Sequence, residues 1–104
     1  MYFLVFERRK GQDEPIADIG GMINSITDWL CHLRELEKQG KVVHHWAFRA
    51  QHGSVTVFDV ASGEELKEIL AKSPLEEKWV HREIHPVCSL EEEINNFSKY
   101  MTGI

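Results

Sequence analysis

The sequence predicts a small α+β domain, and three observations carry that prediction. Short aromatic or β-branched runs alternate with segments whose apolar residues recur at steps of three and four. Two Ser-x-x-Glu boxes stand where such helical segments begin. Glycine- and proline-bearing turns fall between the runs.

The elements follow in order. Tyr2 to Glu7 is aromatic and β-branched, and is expected as a strand buried on both faces. Arg8 to Asp18, with Gly11 and Pro15, is expected as a loop. A first helix begins between Asp18 and Met22. Ile23, Ile26, Leu30, Leu33 and Leu36 form its apolar stripe. Gly40 is placed as its C-terminal cap. Cys31, beside Leu30, is expected to pack as a small apolar residue. Lys41–Arg49 and Val55–Val60 are the second and third strands, and the turn-like Gln51-His52-Gly53-Ser54 between them predicts an antiparallel hairpin. In Ser62-Gly63-Glu64-Glu65 the Ser62 hydroxyl can accept from the Glu65 amide while the Glu65 carboxylate reaches back. This box opens a second helix with Leu66, Ile69 and Leu70 inward, and Ser73–Pro74 ends it. Lys78 to Val87 is the fourth strand. Ser89-Leu90-Glu91-Glu92 opens a third helix with Leu90, Ile94, Phe97 and Met101 on one face.

These elements make one domain over residues 1–104, with a core over 1–88 and a C-terminal helix over 89–102. The order is that of the split β-α-β-β-α-β, ferredoxin-like motif. It predicts a four-stranded antiparallel sheet of order 4-1-3-2 with helices one and two on a single face. The uncovered face and the spare stripe of the third helix both predict self-association, because apolar patches of that size are rare on monomers.

Composition narrows the partners. A chain of 104 residues buries roughly two-thirds of its unfolded surface, enough for one core. The net charge is −5 and the longest basic run is Arg8–Arg9–Lys10, so neither nucleic acid nor an anionic membrane is expected as a partner. No stretch has the form of a signal peptide or a membrane span, which predicts a cytoplasmic protein. Cys31 and Cys88 follow no metal or redox spacing and are expected as reduced thiols.

Leu36-Glu37-Lys38-Gln39-Gly40-Lys41, then His44 and Trp46, Phe58-Asp59-Val60, Glu65-Leu66, Pro74-Leu75 and Glu83-x-x-Pro86 resemble the muconolactone delta-isomerase family. The resemblance runs from about Leu33 to Val87. It implies a dimeric α/β barrel, a homodimer or larger homo-oligomer up to a decamer, and C-terminal segments packed on neighbours. It also implies a double-bond shift in a carboxymethyl-butenolide with no metal and no organic cofactor. The chain departs from the family pattern at Leu4 and Phe6, where polar side chains are usual, near Asp28 and Trp29, and at Glu76–Glu77.

A butenolide isomerisation is a 1,3-proton shift. It needs a base with a pKa near the working pH, a donor for the developing oxyanion and a cation for the substrate carboxylate. His44 and Glu83 are the ionisable matches to the family and are the candidate base or proton shuttle. Trp46 offers an indole N–H and a flat ring for an unsaturated ligand. Arg49 and Arg82 are candidates to hold a carboxylate bidentately. Alternation along strand two places Val42, His44, Trp46 and Phe48 on one face and Val43, His45, Ala47 and Arg49 on the other. Along strand four, Trp79, His81, Glu83 and His85 share a face, and Val80, Arg82 and Ile84 share the opposite one. Strands two and four are opposite edges, so His44 and Glu83 of one chain lie roughly 14 Å apart. They share a site only across a subunit interface. His81-x-Glu83-x-His85 has residue types that zinc takes, but successive ligands on a strand stand about 6.8 Å apart, and no metal is expected. The implied function is a cofactor-free isomerase acting on a small unsaturated lactone. The alternatives are a non-catalytic ligand-binding or assembly member, motivated by Leu4 and Phe6, and a cofactor-free monooxygenase, which rests on fold analogy.

Overall fold

Seven elements form in chain order in the computed structural model, which describes residues 1–11, 18–75 and 79–102. They are β1 (Tyr2–Arg9), α1 (Ile19–Lys38), β2 (Val42–Ala47), β3 (Gly53–Asp59), α2 (Gly63–Ala71), β4 (Val80–Val87) and α3 (Leu90–Thr102). Pro15, Glu76, Glu77 and Lys78 lie outside the described residues. The strands form one antiparallel sheet of order β2-β3-β1-β4, the predicted 4-1-3-2 order read from the other edge.

The ends of the helices are satisfied as their sequences require. The Asp18 carboxylate accepts from the Gly21 amide at 2.9 Å and caps α1. At the other end Gly40 adopts φ +77°, a left-handed conformation. Its N–H donates to the Glu37 carbonyl and that of Lys41 to the Leu36 carbonyl, which closes the helix as a Schellman turn. Ser62 caps α2, its hydroxyl accepting from the Glu65 amide at 3.2 Å, while the Glu65 carboxylate accepts from the Ala61 amide at 2.9 Å. Ser89 does the same for α3 through the Glu92 amide.

The core lies between one face of the sheet and helices α1 and α2. Phe3, Val5, Val42 and Phe58 meet Trp29, Leu33 and Leu36 of α1 and Leu66, Ile69 and Leu70 of α2. Phe58, Leu66 and Val5 are the largest fully buried side chains, and each contributes about 1.5–3 kcal/mol by leaving water.

Four expectations need correction. The buried stripe of α1 is Met22, Trp29, Leu33 and Leu36, while Ile23 and Leu30 are exposed. Leu33 and Leu36 keep their expected places, and Met22 and the bulkier Trp29 take the inward positions expected of their neighbours Ile23 and Leu30. Cys31 is exposed, as is Cys88, and both are free thiols. The first strand is buried on one face only: Phe3, Val5 and Glu7 are covered, whereas Leu4 and Phe6 are half-buried on the opposite face.

The fourth correction concerns β2. Val42 pairs with Phe58, but His44 pairs with Val57, so a bulge lies between Val42 and His44. An uninterrupted strand would carry His44 to the same face as Val42. The extra residue carries His45 and Ala47 there instead, and His44 and Trp46 turn to the uncovered face. Gly53 opens β3 where the backbones crowd. A Cβ there would run into the Glu7 carbonyl and the Arg8 backbone, so only glycine fits.

Candidate functional site

The sheet register sets out the helix-covered face as a grid. One row runs Ala47, Ser54, Glu7, Arg82, and the next runs His45, Thr56, Val5, Ile84. Above the first row, beneath the N-terminal half of α1, lies an open cleft of about 450 Å³. Its walls are mainly apolar, from Ile19, Met22, Ile26 and Trp29 of α1, with Leu75 and Val80 on the β4 side. Glu7 and His45 both line it. An apolar cleft with a few convergent polar groups is the usual form of a small-molecule site.

Glu7 is only 6% exposed, an unusual position for a carboxylate. Its compensation is Arg82, whose Nη2 donates to Glu7 Oε2 at 3.3 Å from the adjacent strand. His45 is half-buried, with Nδ1 against Thr56 Oγ1 at 2.7 Å across the β2–β3 pair. Burial lowers the His45 pKa below that of a free imidazole, and the Glu7 and Glu37 carboxylates oppose that shift only in part. The ring is therefore neutral near pH 7. The Thr56 hydroxyl can donate or accept. Nε2 can thus gain or lose a proton while Nδ1 keeps its partner.

The residues singled out from the sequence divide between two faces. Arg82 is on the helix-covered face beside Glu7. His44, Trp46 and Glu83 are on the uncovered face. The His44 and Trp46 rings stack at 4.8 Å and 16° on the β2 edge, and Trp46 is 58% exposed. Glu83 pairs with Phe6 on the β4 edge, with β1 and β3 between it and His44. Its carboxylate meets His85 Nε2 at 3.4 Å and His81 Nε2 at 3.5 Å. Those two imidazoles, His85 foremost, hold Glu83 below the usual carboxylate range. Among the described residues no group of three or more His, Cys, Asp or Glu is placed to hold a metal ion. Arg49 is exposed in the turn after β2. No described helix is long and apolar enough to cross a membrane.

Sequence reasoning passed over Glu7 and His45. Glu7 reads as the charge that ends a strand, and nothing local announces its ion pair with a residue 75 positions away. His45 differs from His44 only by the bulge. The readable signal was the pair Val42–Val43, which lets either alternation reach the core.

A family model described as muconolactone delta-isomerase matches residues 28–93. The muconolactone Delta-isomerase of Acinetobacter baylyi is 33% identical over 75 residues, which cover 69% of this chain and 76% of that protein. A crystal structure of muconolactone isomerase superposes with a TM-score of 0.70 at 24% identity, over 86% of this chain and 90% of that one. The 5-chloro-2-hydroxyhydroquinone dehydrochlorinase of Burkholderia phenoliruptrix AC1100, solved in complex with 2,5-dihydroxybenzoquinone, superposes with a TM-score of 0.68 at 13% identity, over 88% and 98% of the two chains. At these identities the two structures show a shared fold.

Proposed function

The chain belongs to the muconolactone delta-isomerase family, and on that premise we propose that it moves a double bond in a small unsaturated lactone by a 1,3-proton shift in the cleft beneath α1. One observation carries this reading: a neutral imidazole, His45, and a buried carboxylate, Glu7, line the same apolar cleft. Neutral His45 removes a proton from the saturated ring carbon γ to the lactone carbonyl, which the conjugated double bond makes acidic. The electron pair moves through the ring onto the carbonyl oxygen as a dienolate. The resulting imidazolium is stabilised by the Glu7 charge and returns the proton to the other end of the conjugated system. Proton and electron pair both stay within substrate and imidazole, so the step balances without a co-reactant.

The uncovered face is assigned to a second copy of the chain. Leu4, Phe6, Val55 and Val57 make its centre, and His44, Trp46 and Glu83 its edges. Within one copy β1 and β3 separate His44 from Glu83, so a site shared by the two needs such an interface, and the chain works as a homo-oligomer.

The test is direct. Folded protein incubated with muconolactone should change its ultraviolet absorbance as conjugation moves. Unchanged absorbance across a panel of butenolides, with folding verified by circular dichroism, refutes the isomerase reading. Binding of those lactones without turnover would identify a ligand-binding member instead.

A further inference from the structure

Thr56 is 2% exposed, and among the described residues it and Glu7 are the buried polar or charged side chains. It sits on β3, an interior strand, with His45 opposite it on β2 and Val5 opposite it on β1. A hydroxyl withdrawn so completely from water needs a partner, and the Thr56 hydroxyl meets His45 Nδ1 at 2.7 Å. Two features of the fold make that pair. The bulge between Val42 and His44 turns His45, and not His44, toward Thr56. The Thr56 side chain is β-branched and stiff at χ1, on a strand paired along both edges, so its hydroxyl is a fixed point for the more exposed ring.

We infer that Thr56 is a positioning residue for His45: its hydroxyl accepts from Nδ1–H, which fixes the neutral tautomer with a bare Nε2 and makes Nε2 the atom that exchanges protons in the cleft. The reaction served rests on the isomerase reading, but the tautomer does not. A neutral imidazole carries one proton, and the hydrogen bond at one nitrogen decides what the other can do. A hydroxyl that donated to Nδ1 would leave the proton on Nε2, and His45 would have no lone pair to offer a substrate. With Thr56 accepting, Nε2 takes the proton from the γ carbon while the electron pair passes into the dienolate, and Nε2 then gives the proton back. Nδ1–H keeps its acceptor through both steps, so neither ring nor hydroxyl has to turn. The bond to Thr56 becomes charge-assisted when the imidazolium forms. An interaction that strengthens along the reaction lowers the barrier without tightening substrate binding.

The experiment reads the tautomer first, with no substrate present. Two-bond ¹H–¹⁵N correlation spectra are recorded on full-length protein labelled at histidine, at about pH 8, where a histidine of lowered pKa is neutral. The His45 signals, identified by their loss in His45→Gln, should be those of the Nδ1–H form. Thr56→Val keeps the branched shape and removes the hydroxyl, and should shift the ring away from that form. On muconolactone it should lower kcat by about 10–100-fold, the value of one hydrogen bond to a charged group, with little change in KM. Thr56→Ser returns a hydroxyl and should recover most of the loss. An Nε2–H ring in the wild type overturns the inference, and that spectrum decides it even if Thr56→Val does not fold. A folded Thr56→Val protein with the wild-type tautomer or the wild-type kcat, or a Thr56→Ser protein as impaired as Thr56→Val, overturns it as well. An Nδ1–H ring that depends on Thr56, in a protein that turns over no butenolide, keeps the positioning role and removes the isomerase reading. Turnover by a wild type whose His45 is in the Nε2–H form does the reverse.

Discussion

His45 illustrates how burial sets chemistry. Desolvation disfavours the imidazolium, so the folded chain binds fewer protons there than the unfolded chain at mildly acidic pH. Its folded pKa lies below the unfolded 6.5. Its contribution to stability is therefore full above about pH 6.5 and is lost as pH falls through the lowered folded value. Urea midpoints measured from about pH 7.5 to about pH 5 should decline more steeply for the wild type than for His45→Gln. Glu7 tests the neighbouring ion pair. Glu7→Leu leaves the Arg82 guanidinium without its counter-charge and should cost about 3 kcal/mol, read from the denaturant midpoint. Neither residue was legible as functional from the sequence, because each owes its setting to the sheet. Arg82 was singled out in the sequence, but not as the partner of Glu7, which lies on a strand far away in the chain.

The elements themselves were largely legible. Helix caps are local chemistry, and Asp18, Gly40, Ser62 and Ser89 all do what their residue types predict. Ser62→Ala should cost about 1 kcal/mol in denaturant unfolding, since the Glu65 amide then loses its acceptor. The hairpin and strand order follow from loop length and motif. Two features escaped. The N-terminal half of the α1 stripe was misjudged because Ile23 and Leu30 mimic core positions that Met22 and Trp29 occupy. The bulge in β2 escaped because two valines and two histidines in succession satisfy both alternations equally, and only pairing with β3 selects one. Gly53 is the complementary test of this region. Gly53→Ala forces a methyl against the β1 backbone and should destabilise by about 1–3 kcal/mol, with the cleft residues Glu7 and Ser54 displaced alongside.

As a whole the molecule is elongated, 59 × 30 × 22 Å, with a radius of gyration of 16.6 Å. A chain of this length packed into one globule has about 13 Å. The third helix explains the excess: Leu90, Ile94, Phe97 and Met101 are all exposed, so its apolar stripe is left uncovered by the described residues. That helix, and the spare stripe that suggests a neighbour, were legible from the sequence. Light scattering should give a mass at least twice the 12.1 kDa of the chain, and Phe97→Asp should lower it. The cleft was not legible at this scale, since it arises where α1, the β1–β2 ends of the sheet, Leu75 and Val80 meet. The proposed isomerisation in this cleft stands or falls with proton transfer through His45. The most direct measurement compares the wild type with His45→Gln on muconolactone across pH. Turnover by the wild type should fall on the acid side as His45 protonates, and the folded variant should lose about 10²–10⁴ in kcat. A folded His45→Gln protein as active as the wild type, with the same pH profile, would contradict it.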